Sequence, residues 1–298
     1  MKLATTTGDF GAYTNQQEDS ARYCRAAGFR YLDYNFGMDY RHRNGIYSEN
    51  PAAYLEKMKR HSEEIGVSFI QSHAPMGAPL APNNEQFVQD TIQCIHACGA
   101  LGIPNLVVHS GYLPGLTPQE TFRRNREFYL PLLQVAEQYG VNILVENFNK
   151  MCVDGLYWID NATDLLAMIE CVNHPLFHAV WDAGHANMQE MSQDEELRLL
   201  GKHVYALHVQ DNYGDSDAHI APFFGSLSLD SLMHGLQDIG YKGYFTFESN
   251  FFRSANGRRV YEPDTRLAQP PLALYQKAET LLYEIGKSIL TAYDCLEE

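Results

Sequence analysis

Apolar positions along the chain switch repeatedly between a spacing of two and a spacing of three to four. The first predicts strands and the second helices. Lys2 to Thr7 reads as a first strand, and QEDSARYCRAA from Gln17 to Ala27 as an amphipathic helix ended by Gly28. FRYLDYN (Phe29 to Asn35) alternates as a second strand, and a polar loop rich in Tyr, Arg and Asn leads to a helix from Pro51 to Ile65, ended by Gly66. Val67 to His73 and Asn105 to His109 are the next strands, separated by a helix from Asn84 to Leu101. A long helix from Thr117 to Tyr139 precedes a fifth strand, Val141 to Glu146. Strands at Phe177 to Asp182, Val204 to His208 and Tyr244 to Glu248 alternate with helices at Ala162 to Cys171, Asp194 to Leu200 and Ser228 to Ile239. Pro271 to Ala292 closes the series as a helix.

Glycines follow most of these helices, where a left-handed C-cap turns the chain back toward the next strand. Eight β/α units at intervals of roughly 30–40 residues predict an α/β protein, a closed (β/α)₈ barrel rather than an open sheet. No linker, low-complexity tract or charge run interrupts them, so residues 1–298 are expected to form one barrel domain.

Barrel enzymes carry their chemistry at the C-terminal strand ends. Those ends here hold His73, His109, Glu146, Asp182, His208 and Glu248 on six consecutive strands. His185 follows Asp182 across an expected tight turn through Ala183 and Gly184, and Asp217 and His219 lie in the loop after the seventh strand. Each alone has a plain explanation as a turn residue, a satisfied core histidine or a cap. Gathered in one mouth, the carboxylates would repel one another and lose solvation, a cost that a divalent cation offsets. Glu146, Asp182, His208 and Glu248 offer three hard oxygen ligands and one imidazole, which suits Mn²⁺, Mg²⁺, Co²⁺ or Zn²⁺ better than a soft thiolate site would.

Composition narrows the partners. Hydrophobic residues make up 45% and charged residues 20%, as in ordinary soluble proteins with a full core. A net charge of −15 disfavours a nucleic-acid partner held through phosphates. The six cysteines are scattered; Cys94 and Cys98, one helical turn apart, are expected on a packed helix face. MKLATTTGDF has no apolar signal region and no stretch reaches membrane-spanning length, so a cytoplasmic location with reduced thiols is expected. A homo-oligomer is compatible with this sequence, which specifies no oligomeric state.

The segments SHAP (72–75), VVHSG (107–111), LVEN (144–147), WDAGH (181–185), LHVQDN (207–212), DAHIAPFFGSLSLD (217–230) and GYKGYFTFE (240–248) resemble the xylose-isomerase-like, AP-endonuclease-like TIM-barrel superfamily, in its order and nearly end to end. The resemblance implies a metal, Mn²⁺ foremost, held by Glu146, Asp182, His208 and Glu248. It implies a sugar isomerase or epimerase in which Glu146 and Glu248 remove and return a proton beside a carbonyl, through an enediolate. His185 would then contact the small carbohydrate substrate, with His73, His109 and Trp181 also at the pocket and Phe148, Tyr34 and Phe251 as further wall candidates.

A rival reading is the multi-zinc phosphodiesterase of the abasic-site endonuclease branch. There His73, His109, His185, Asp217 and His219 would join the four residues above as ligands. The acidic charge and the lack of a basic stripe weigh against it. Ketose 3-epimerases place an arginine six residues after the strand-seven histidine, where this chain has Gly214, so a different sugar or polyol is expected. A keto-sugar or inosose dehydratase or lyase would use the same proton abstraction, and a barrel that binds metal without catalysis would show no turnover. Lys150, Arg253, Arg258 and Arg259 are candidate contacts for an anionic substrate group. Specificity is expected from the loops Met38 to Asn50 and Phe251 to Gln269.

Overall fold

Eight parallel strands ring the molecule: β1 (Lys2–Thr6), β2 (Tyr31–Asn35), β3 (Ser68–His73), β4 (Asn105–Val107), β5 (Asn142–Glu146), β6 (Phe177–Asp182), β7 (Val204–His208) and β8 (Tyr244–Phe247). Each pairs with its successor from β1 to β7, and β1 also pairs with β8. The seam between β7 and β8 is joined by Val209 N–H to Thr246 O at 2.8 Å and Glu248 N–H to Val209 O at 3.1 Å. The expected (β/α)₈ barrel is the fold. This computed structural model describes residues 1–149, 157–189, 191–252 and 269–297.

Among the described residues the helices are α1 (Gln17–Ala27), α2 (Phe36–His42), α3 (Pro51–Ile65), α4 (Glu85–Leu101), α5 (Pro118–Tyr139), α6 (Ala162–Val172), α7 (Ala183–Asn187), α8 (Gln193–Leu200), α9 (Leu229–Asp238) and α10 (Leu272–Ala292). Local chemistry starts them: Asn50, Asn161 and Ser228 accept backbone N–H groups as N-caps, and Thr117 with Glu120 forms a reciprocal capping box on α5. Cys94 and Cys98 lie fully buried on α4, as a packed helix face requires.

Two segments differ from expectation. The polar stretch after β2 folds into α2 and a 3₁₀ turn, Gly45–Tyr47. The Asn35 side chain caps α2 by accepting Met38 N–H at 3.1 Å, and buried Asp39 gathers hydrogen bonds from Gln17 and Tyr34. The residues after Asp182 form α7 instead of a tight turn, because the Asp182 carboxylate accepts His185 N–H at 2.7 Å. β4 and β8 also stop earlier than expected, at Val107 and Phe247, so His109 and Glu248 lie just beyond their strands.

The barrel interior is layered. Val107, Leu144, Val180 and Ala206 pack together inside it, from β4, β5, β6 and β7. Each lies two residues before His109, Glu146, Asp182 and His208 respectively, and period two keeps both members of each pair on one face. The apolar layer therefore forms a floor beneath a polar one. Register shifts at Leu32/Asp33 and Ala179/Val180 set what meets across the strands: Asp33 stands opposite Gln71, and Asp182 opposite His208.

Candidate metal centre and active site

Glu146 sits at the hub of the mouth, 2% exposed. Its Oε2 lies 2.6 Å from His109 Nε2 and 3.5 Å from His73 Nε2, and its Oε1 lies 2.9 Å from His208 Nδ1. Burial opposes ionisation of this carboxyl, but His208, His109 and His73 outweigh it and hold the pKa well below the usual range. Glu248 enters from the end of β8, with Oε2 4.0 Å from the same His208 Nδ1 and 3.7 Å from His219 Nδ1.

Asp182 is completely enclosed. Its Oδ1 accepts His185 N–H and lies 3.3 Å from Gln210 Nε2, while its Oδ2 has no hydrogen-bond partner. Burial, with Glu146 nearby, raises its pKa to about 6 even though His185 pulls the other way. His185 is positioned from behind: its Nδ1–H donates to Asn147 O at 2.9 Å, which leaves Nε2 as the nitrogen turned toward Asp217, 3.4 Å away. Asp217 Oδ1 also lies 3.0 Å from His219 Nε2 and accepts Gln210 Nε2–H at 3.0 Å. Burial alone would raise the Asp217 pKa, but His219 and His185 drive it well below the usual carboxylate range.

The donor atoms fit a divalent cation. They converge in three triads, His73–His109–Glu146, Glu146–Asp182–His208 and His185–Asp217–His219, with the ligand atoms of each within 4.8 Å of one another. His73 donates Nδ1–H to Ala74 O at 2.7 Å, so Nε2 is the nitrogen that faces His109 Nε2 at 3.2 Å and the Glu146 carboxylate beyond. Asp182 Oδ2 and His185 Nε2 are buried without hydrogen-bond partners, a costly arrangement that a bound ion relieves.

A cavity of about 470 Å³ opens over these groups. His73, His109, Glu146, His185, Asp217, His219 and Glu248 line it, as does Phe148. Asn35, Tyr40 and Arg41, from the end of β2 and from α2, complete one wall. Tyr40 and Arg41 fall within Met38 to Asn50, the stretch from which specificity was expected, although neither was singled out there because α2 looked like a loop; Asn35 was missed. Gln210 and Asn147 were missed too, although each follows a named ligand at a distance of two or one.

Trp181 is a correction. Its side chain is wholly buried in the main core on the outer face of β6, and its indole N–H donates to Gln193 Oε1 at 3.2 Å. Period two explains this: Asp182 points into the barrel, so Trp181 points out. Tyr34 likewise packs in the core, bonded to Asp39 and Tyr54. Phe251 stacks edge-on against Phe224 rather than lining the cavity. Lys150, Arg253, Arg258 and Arg259 lie outside the described residues. Gly214, where ketose 3-epimerases carry arginine, has φ +82°, a conformation that strains any residue with a side chain.

Several known proteins are similar to this chain. A fructoselysine 3-epimerase of Escherichia coli is 30% identical over 145 residues, 47% of this chain and 49% of that protein. An uncharacterized protein of Methanocaldococcus jannaschii is 28% identical over 67% of this chain and 69% of its own length. The matched stretch thus spans about half of the named epimerase. In fold, D-psicose 3-epimerase of Clostridium cellulolyticum superposes with a TM-score of 0.76 at 16% identity, covering 97% of this chain and 99% of that one. An AP endonuclease of family 2 from Brucella melitensis superposes with a TM-score of 0.69 at 18% identity, covering 84% of this chain and 93% of that one. No described helix is long and apolar enough to cross a membrane. Residues 21–270 match the xylose isomerase-like TIM barrel family, and the chain belongs to that family.

Proposed function

We propose that the protein is a divalent-metal-dependent isomerase or epimerase of a sugar or sugar derivative. One observation carries the reading: Glu146 and Glu248, from different strands, approach the same His208 nitrogen at 2.9 and 4.0 Å and line the same cavity. Two carboxylates beside one substrate are what removal and return of a carbon-bound proton require. Glu146, Asp182, His208 and Glu248 would hold the ion, with Mn²⁺ favoured by the oxygen-rich set. When bound, it supplies Lewis-acid polarisation of the substrate carbonyl and hydroxyl. His185, its Nδ1–H held by Asn147 O and its pKa raised against burial by Asp182 and Asp217, presents a protonated Nε2 to a substrate oxygen on which charge develops. His73 and His109, which approach Glu146 Oε2 while His208 approaches Oε1, border the substrate. The epimerase names of the fructoselysine and D-psicose relatives support this class without identifying the sugar.

A second reading has its own support. Two of the three triads share Glu146 and the third, His185–Asp217–His219, lies beside it through His185, 3.7 Å away, so the donors could hold more than one ion, as a multi-zinc phosphodiesterase would need. Metal content separates the two. Elemental analysis of the purified protein is expected to find one Mn²⁺-like ion per chain, whereas two or three tightly held zinc ions favour the hydrolase. Incubation with ketoses in D₂O should place deuterium beside the carbonyl, and chelation should abolish this. Absence of exchange across a broad panel, together with cleavage of abasic DNA, would reverse the assignment.

A further inference from the structure

The layer beneath the site is polar on one side only. β4 to β7 contribute Val107, Leu144, Val180 and Ala206 to the interior. From β2, β3 and β8 come Asp33, Gln71 and Thr246, each at most 1% exposed and joined into a chain of hydrogen bonds. Thr246 Oγ1–H donates to Gln71 Oε1 at 3.2 Å, and the amide's NH₂ end faces two acceptors on the other side. Gln71 Nε2–H then donates to Asp33 Oδ2 at 2.8 Å, with Leu207 O also within 3.4 Å. The same Asp33 oxygen lies 3.3 Å from His208 Nε2.

Donor and acceptor roles follow along this chain. Asp33 Oδ2 already accepts from Gln71, so the His208 nitrogen facing it must carry a proton. With Nε2–H held by Asp33, the other proton of His208 sits on Nδ1 against Glu146; an ion would replace that proton and meet the Nδ1 lone pair on the side of Glu146 and Glu248. The arrangement is expensive, because Asp33 is a fully enclosed carboxylate whose Oδ1 has no partner. An apolar residue would complete the floor at lower cost, as on the other four strands.

We infer that Asp33 is a positioning residue for the metal centre, holding His208 in the ring orientation and tautomer that present Nδ1 to the ion. The inference rests on the metal-site reading above. It assigns to Asp33 the part that a carboxylate behind a ligating imidazole performs in general: fixing the tautomer and raising the ligand's basicity.

The test strips the full-length protein with a chelator, titrates it with Mn²⁺ and, separately, records the visible spectrum of the Co²⁺ form. Asp33→Leu removes the acceptor and is expected to weaken Mn²⁺ binding about 10- to 100-fold. Asp33→Asn keeps one oxygen for His208 and should fall between Asp33→Leu and wild type. The Co²⁺ spectrum should change in Asp33→Leu, and the melting temperature should fall as well, because the Gln71 and His208 N–H groups lose their acceptor. Affinity and spectrum decide: if both match wild type while only the melting temperature falls, Asp33 merely supports the fold and the inference is overturned. Should wild type bind neither Mn²⁺ nor Co²⁺, the metal-site reading itself fails, and this inference with it.

Discussion

The Glu146 carboxylate and the His208 imidazole meet at 2.9 Å, Oε1 to Nδ1, although β6 separates their strands. Glu146 is thereby a candidate both for holding a cation and for moving a proton, whereas Glu248 stands farther from the same nitrogen at 4.0 Å. The two glutamates should therefore separate under mutation. Glu146→Gln is expected to lower both ion affinity and turnover. Glu248→Gln should lower turnover by roughly 10²- to 10⁴-fold, the usual contribution of a positioned acid or base, with a smaller effect on affinity. Mn²⁺ titration beside deuterium-exchange rates checks the split, and equal loss of affinity in both variants would contradict it.

Trp181 stands in the opposite position, close to the site in sequence and outside it in space. Trp181→Phe removes the indole N–H that satisfies Gln193 Oε1 and leaves a gap in the outer core. Together these should cost about 1–3 kcal/mol of stability. Urea unfolding checks that figure, and kcat/KM should stay within a few-fold of wild type. A large loss of kcat/KM in a variant of unchanged stability would return Trp181 to the substrate pocket.

How legible the site was depended on whether its residues sit at strand ends. Glu146, Asp182 and His208 end apolar strands, so their convergence could be read from eight repeated units and their glycine stops. Asp33 lies inside β2, and its meeting with Gln71 depends on a register shift that no local pattern announces. α7 has 5 residues and α2 has 7, too few for a helical period to show, and both begin from side-chain caps. The placement of Trp181 was legible in principle, since parity with Asp182 on one strand sends it outward. Sugar identity was not, because α2 and the loops around the mouth carry no periodic signal.

Gly184 illustrates how closely α7 is fitted to the floor. A Cβ there would fall inside the contact distance of the Gln210 amide, which is held between Asp182 and Asp217. Gly184→Ala must displace Gln210 or tilt α7, and α7 carries His185. We expect about 1–3 kcal/mol of destabilisation, as for other overpacked sites, with a fall in kcat out of proportion to the change in stability. Gln210→Ala in the same background should restore part of the stability by making room. If it does not, the clash is not the cause.

Asp39 gives the pH dependence of the α2 wall. Burial raises its pKa from 3.8 to about 6, despite hydrogen bonds from Gln17, Ile46 and Tyr34 that favour the anion. A raised carboxyl pKa means that the folded state holds its proton where the unfolded chain has released it. The contribution of Asp39 to stability is therefore full below about pH 4 and is lost as pH rises through about 6. A shift of this size corresponds to at most about 3 kcal/mol. Asp39→Asn cannot ionise, so the difference in unfolding free energy between variant and wild type should move in the variant's favour by up to that amount between pH 4 and 6.5. Denaturant unfolding at closely spaced pH values measures this difference directly. A flat difference would mean that Asp39 ionises at its ordinary pKa, and that the hydrogen bonds from Gln17, Ile46 and Tyr34 offset its burial in full.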